Sequence, residues 1–242
     1  MFPCKFDLHN HTVASGHAYS TIEEIAARAG KIGLELVGIS DHGPSMPGGP
    51  HLYHFGNRLA VPKLIEGVEI LFGVEANIIS TCGQLDLPPS ILGSLDFVAA
   101  GLHPATGYEG ENKADNTKAL ICAMENPDLD FIVHPGNPRF PMDVEAVVQA
   151  AVRTGVALEL NNSSLTICRR GSEGTCFELA KRMAQLGGKV ILGSDSHASC
   201  NVGNLDAALA LAKRAGLRAE QILNTSRELL EQHLAARRRL KA

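Results

Sequence analysis

The chain has 242 residues and a formal net charge of −4 at a pI near 6.2, a size that one α/β domain (residues 1–242) accommodates. Hydrophobic residues at 45% and charged residues at 20% exclude a disordered chain. The acidic balance speaks against the basic footprint of nucleic-acid binding, so a small substrate is expected rather than a polymer. The opening MFPCKFDLHNH lacks a signal peptide's apolar core, and no apolar run is long enough to cross a bilayer; a cytoplasmic protein is expected. Six cysteines without a C-x-x-C pair suggest mostly buried, reduced thiols rather than a disulfide framework.

In chain order, short β-branched runs at 5–9, 36–40, 70–75, 97–102, 131–134, 157–160 and 190–193 predict seven strands. They alternate with helical stretches, the pattern of a parallel α/β sheet. Residues 21–31 open with Ser20 and Thr21 ahead of two glutamates. Residues 143–154 carry Val144, Val147, Val148 and Ala151 at helical spacing before a Gly155 stop, and 175–186 repeat that form before Gly187 and Gly188. Residues 204–215 and 219–240 predict a last helical stretch, whose Arg237, Arg238, Arg239 and Lys241 read as a solvated carboxyl end. There is no linker, tandem repeat or composition break to mark a domain boundary.

Six of the ten histidines fall at or just past a predicted strand end, where α/β barrels build active sites. The strands end in turn with His9 and His11, Asp41 and His42, Glu75, His103, His134, and Asp195 and His197; only the sixth, with Asn161 and Asn162, offers no ligand. Residues two apart share a strand face, so His9/His11 and Asp195/His197 are pincers, and His17 can reach back over the same rim. Nine imidazole and carboxylate groups suit divalent transition metals and exceed the needs of one tetrahedral ion, with Glu75 the natural bridge. Arg169 and Arg170 in CRRGSEGT are candidates for binding phosphate, and Arg58 and Lys63 are secondary ones. His51, His54 and His233 read as ordinary hydrogen-bonding histidines.

The segments DLHNHTVASGHAYST (7–21), GISDHGP (38–44), GVEANI (73–78), AAGLHP (99–104), IVHPGNP (132–138), LELNNSS (158–164) and LGSDSH (192–197) resemble the polymerase and histidinol phosphatase (PHP) family, within it the YcdX-type phosphatases. The resemblance implies a distorted seven-stranded β/α barrel, TIM-barrel-like, holding three metal ions. It assigns His9, His11, Glu75 and Asp195 to one ion, Glu75, His103 and His134 to a second, and His17, His42 and His197 to a third. Asp7 and Asp41, beside ligands, would orient an imidazole or serve as plain hydrogen-bond acceptors.

Zinc is the first expectation for the ions, with manganese or iron as alternatives. The implied activity is that of a phosphatase acting on small phosphomonoesters, in which a metal-activated hydroxide attacks phosphorus and His9, His11, Glu75, His103, His134 and Asp195 serve catalysis by holding the metals. Phosphodiester or exonuclease action on the same cluster, and a metal-stabilised binding module without turnover, are the alternatives. The resemblance also implies a homo-oligomer, a trimer.

Overall fold

The computed structural model describes residues 3–110 and 112–239. Nine strands run along the described residues: β1 (Phe6–Asp7), β2 (Leu36–Ile39), β3 (Leu64–Ile65), β4 (Val68–Phe72), β5 (Val74–Asn77), β6 (Val98–Gly101), β7 (Phe131–Ile132), β8 (Ala157–Asn161) and β9 (Val190–Gly193). They form two sheets, ordered β1-β2-β4-β3 and β5-β6-β7-β8-β9. Every pairing is parallel except the small β3–β4 hairpin, a strand the sequence reading did not anticipate.

Strand ladders do not close the expected seven-stranded barrel. The third expected strand, 70–75, divides at Gly73 into β4, which pairs with β2, and β5, which pairs with β6. Across that seam Gly73 N–H still donates to Ile39 C=O at 2.8 Å, and a single parallel bridge joins His42 to Glu75. Between β1 and β9 the side chain of Asn224 takes the place of a ladder. Its Nδ2 donates to Phe6 C=O (3.0 Å) and Leu192 C=O (2.9 Å), and its Oδ1 accepts from Leu192 N–H at 2.7 Å. Beyond it one bridge, Asn10 to Ser196, joins the two chain segments.

One apolar cluster lies between the sheets, built by Phe6, Leu8, Leu36, Phe97, Phe131 and Ile191. Leu230 and Leu234 of the helix Arg227–Arg239 cover it. Phe97 and Phe131 stack at 5.5 Å; burial of each such ring is worth about 1.5–3 kcal/mol. A larger cluster packs the other strand faces (Val37, Ile39, Val98, Ile132, Leu158, Leu192) against the surrounding helices.

The helix Ile22–Lys31 begins at a capping box between Thr21 and Glu24, and Val144–Thr154 runs from an Asp143 cap to Gly155 at φ 75°, both as expected. Ser172–Leu186 starts three residues earlier than predicted, because Gly171 adopts the left-handed conformation that lets Ser172 enter the helix. The final stretch separates into Asp206–Arg214, two 3-10 turns and Arg227–Arg239.

Two expectations fail. Arg237 is not a solvated helix end: it is 3% exposed, and its guanidinium donates to the carbonyls of Leu129, Thr154 and Asn126. Five donors in a planar fork can satisfy several carbonyls at once, which makes arginine suited to that junction. Arg238 does reach solvent, while Lys241 lies outside the described residues. The cysteines are all free, but only Cys176 is buried; Cys82 and Cys200 are exposed.

Candidate metal centre

Along the strands, side chains facing the inner cluster change character toward the carboxyl ends. Leu36, Leu71, Ala99 and Ile191 are followed two residues later by Gly38, Gly73, Gly101 and Gly193. A Cβ on Gly38 would stand 2.9 Å from the Phe97 ring, and one on Gly101 2.8 Å from the His134 ring. The glycines are thus a layer of clearance between apolar floor and polar rim. Two residues further again on three of those strands stand Glu75, His103 and Asp195.

The seams complete the rim. The Asn10–Ser196 bridge, in which His11 N–H donates to Ser196 C=O (2.8 Å) and Ser196 N–H to His9 C=O (3.1 Å), sets His9 and His11 against Asp195 and His197. The His42–Glu75 bridge does the same for those two. Backbone strain gathers here: His134, Asp195 and Arg169, at φ 34°, 55° and 50°, are three of the five described non-glycine residues with positive φ, a cost of about 1–3 kcal/mol each that folding must offset elsewhere.

Glu75 is the hub. Its Oε1 lies 2.7 Å from His134 Nε2 and 2.9 Å from His103 Nε2, and its Oε2 lies 2.8 Å from His42 Nδ1, 3.3 Å from His11 Nε2 and 3.4 Å from His9 Nε2. Asp195 Oδ1 is 3.5 Å from His9 Nε2 and 3.4 Å from His11 Nε2. Donor atoms lie within 4.8 Å of one another in the groups His9/His11/Asp195, His42/Glu75/His103 and His11/His42/His197. These groups cut across the three ligand sets drawn from sequence, because the donors form one continuous cluster. His17 is exposed above it, its ring 5.0 Å from His42 and 4.9 Å from His197.

Carboxylates outside the proposed ligand set hold some of the rings in place. Glu159, which sequence reasoning missed, lies 2.6 Å from His9 Nδ1 and accepts the His134 backbone N–H at 2.7 Å. Asn161 donates to both Glu159 (3.1 Å) and Asp195 (3.3 Å). The signal was in LELNNSS, where Glu159 shares a strand face with Asn161. Asp41 acts on His11 through Ser15: the hydroxyl donates to Asp41 at 2.7 Å and stands 3.1 Å from His11 Nδ1. Asp7 accepts the backbone N–H groups of His9, Ser194 and Gly203 and has no imidazole hydrogen-bonded to it among the described residues.

This donor set fits divalent ions. Buried polar atoms rarely lack a partner, yet His9 Nε2, His11 Nε2, His42 Nδ1, His103 Nδ1 and Glu75 Oε2 make no well-directed hydrogen bond among the described residues, the 2.8 Å approach of His42 Nδ1 to Glu75 Oε2 included. Burial, opposed only in part by Glu75, lowers His42 to about 3; burial with Arg169 lowers His134 to about 4, and burial with His11 lowers His197 to about 4. These rings are neutral and keep a lone pair. Burial would raise Glu75, but His42, His103 and His9 hold it well below the carboxylate range, and His9 and Arg169 do the same for Asp195. Burial would lower His9 and His11, yet Glu159, Glu75 and Asp195 raise His9, and Asp195 and Glu75 lift His11 to about 9. Acids that drive protons onto buried imidazoles mark a site short of positive charge, which a cation would supply.

Beside the cluster opens a cavity of about 490 Å³, lined among others by His103, Asp195, His197, Arg169, Arg139 and Asn201. Arg169 Nη1 donates to Asp195 Oδ2 at 2.8 Å, whereas Arg170 is exposed and does not line the cavity. Of the secondary candidates, Lys63 pairs with Asp96 and Arg58 lines a separate, larger groove. His51 caps a short helix, His54 donates to Asp41 and His233 to Asp130 C=O, the ordinary roles expected of them.

A parallel α/β scaffold with a histidine- and carboxylate-rich rim at the strand ends defines a metal-binding hydrolase-like fold. Residues 7–135 match the PHP domain family, and the chain belongs to that family. It is similar to a "probable phosphatase" of Caldanaerobacter subterraneus subsp. tengcongensis, 49% identical over 233 residues covering 96% of this chain and 92% of that one. It is 43% identical over 235 residues to a "probable phosphatase" of Clostridium acetobutylicum, covering 97% and 96%. In fold it resembles the histidinol phosphate phosphatase of Lactococcus lactis subsp. lactis, crystallised with zinc, L-histidinol and phosphate, at a TM-score of 0.60 and 16% identity over 89% of this chain and 95% of that one. No helix among the described residues is long and apolar enough to cross a membrane.

Proposed function

We propose that this protein is a metal-dependent phosphatase that hydrolyses small phosphomonoesters at a trinuclear centre. Residues 1–242 are taken as one domain whose two sheets form the arcs of a distorted seven-stave barrel. The observation that carries the reading is the knot of buried, partnerless imidazole and carboxylate atoms around Glu75, open on one side to a cavity containing Arg169.

His9, His11, Glu75 and Asp195 would hold one ion, Glu75, His103 and His134 a second, and His17, His42 and His197 a third, with zinc first among the metals. When bound, such ions supply Lewis-acid charge and lower the pKa of water. Arg169, kept cationic by Asp195, offers its guanidinium to the phosphoryl oxygens as charge accumulates on them. Glu159 and the Ser15–Asp41 pair keep His9 and His11 aimed, so that little reorganisation is needed on binding. The phosphatase names of close relatives and the zinc and phosphate in the histidinol phosphate phosphatase support this reading.

The test is hydrolysis of a phosphomonoester panel and a labelled oligonucleotide before and after chelation. Chelation is expected to remove at least about a thousandfold of the phosphomonoesterase rate, and added zinc or manganese to restore it. Metal-replete protein inactive on every phosphomonoester, or active only on the oligonucleotide, would overturn the reading.

A further inference from the structure

The cavity beside the metal cluster carries a second feature, distinct from the groups that would engage the reacting phosphate. Its lining contains two guanidinium groups, Arg169 and Arg139, and one carboxylate, Asp195. Asp195 is already engaged, by Arg169 and by the histidine cluster. No acid in the lining is therefore left to receive an ammonium group. The hydrogen bonds that Arg169 donates all run through Nη1, to Asp195, Ser164 and Cys168, which fixes it at the inner end.

Arg139 is held differently. Its side chain is 56% exposed, and its ion partner, Glu109, stands at 3.7 Å with 61% of its own side chain exposed. An ion pair of that length and exposure is worth little. Its guanidinium lies 6.0 Å from the centroid of the Phe140 ring, against which it can rest without losing a donor. The backbone N–H of Arg139 donates to Asn137 Oδ1 at 3.1 Å, fixing the turn that presents it. The remaining lining mixes the small polar side chains of Asn137, Asn201 and Ser163 with Ile167, Pro104 and Cys168, and includes no aromatic carbocycle on which a base could stack.

We infer that Arg139 selects substrates bearing a second anionic group, a carboxylate or second phosphate a few bonds from the scissile phosphoryl group, over neutral or amine-bearing phosphomonoesters. The inference rests on the phosphatase reading of the same site. Arg169, beside the ions that the ligand cluster would hold, receives the phosphoryl group that is cleaved, and Arg139 forks onto the second anion, where a planar guanidinium matches two oxygens. Pairing with an ammonium would place like charges together, and a neutral hydroxyl would leave the guanidinium with a weaker acceptor.

The experiment compares kcat/KM of the metal-replete protein for 3-phosphoglycerate, glycerol 3-phosphate and O-phosphoethanolamine. The expected order is acid over neutral over amine, with at least about tenfold between the first two, the usual scale of one charge-assisted hydrogen-bonded pair. In Arg139→Gln the acid-to-neutral ratio should collapse toward one, chiefly through KM, and Arg139→Lys should recover part of it. Turnover of all three at similar efficiency, a preference for the amine, or a ratio that survives in Arg139→Gln would overturn the inference while leaving the phosphatase standing. Absence of turnover on all three would remove the inference, whereas the phosphatase reading falls only if every phosphomonoester of the wider panel is refused.

Discussion

The two ends of the strands bury polar groups by opposite rules. At the amino end, Asn224 and Arg237 satisfy backbone carbonyls and N–H groups, and His233 donates to Asp130 C=O. At the carboxyl end, four histidines and Glu75 carry buried atoms without a hydrogen-bond partner among the described residues, beside two residues, His134 and Asp195, in strained backbone. The first arrangement is what a chain does to close its sheets. The second costs stability and is retained only where something else is to be bound.

Three substitutions can break that contrast. Asn224→Ala should lower unfolding stability by about 3 kcal/mol, since it strips three buried hydrogen bonds and strands their backbone partners, while phosphatase activity per folded molecule stays near wild type. Denaturant titration and activity at matched folded fraction check it; an activity loss larger than the folded fraction explains would mean the two ends are not separable. Glu159→Gln should act the other way, keeping the fold by circular dichroism but weakening metal binding about ten- to hundredfold. Competition against a chromophoric chelator measures this, and unchanged affinity would deny Glu159 its orienting part.

The smallest effect is expected at His233, whose pKa burial lowers from the ordinary histidine value. The unfolded chain then binds a proton before the folded one does, so this residue subtracts stability as pH falls through the unfolded value near 6.5. His233→Gln should flatten the loss of stability between pH 7 and pH 5 relative to wild type. Identical slopes in the two proteins, read from denaturant midpoints across that range, would show that His233 titrates alike folded and unfolded.

Much of this was legible in the sequence because strand-end position is a local property. The runs ending at His9, Glu75, His103, His134 and Asp195 announced themselves by short apolar, mostly β-branched segments followed by a polar break, and the structure brings those ends together. What was not legible depended on distant partners. The split at Gly73 is set by which neighbour each half pairs with, β2 or β6, and nothing in LFGVE encodes that choice. The burial of Arg237 depends on three carbonyls more than 80 residues away. Glu159 sits inside its strand, two residues before the polar break at Asn161, so its position alone does not set it apart, and a lone arginine after a proline-rich turn, as at Arg139, has no local signature. The helix Lys113–Met124 hid for a different reason: its apolar residues do not sort onto one face.

Two of the isolated bridges among the described residues, Asn10 to Ser196 and His42 to Glu75, are the points where one sheet hands over to the other at the rim. Each lies among the residues proposed to bind metal, so an ion there would rivet sheet to sheet across joints that the backbone fastens by a few hydrogen bonds rather than a full ladder. Stripping the metal should accordingly unbutton the molecule along these two lines first, with amides of residues 9–11, 42–43, 75 and 196 gaining hydrogen-exchange rate ahead of the strand interiors.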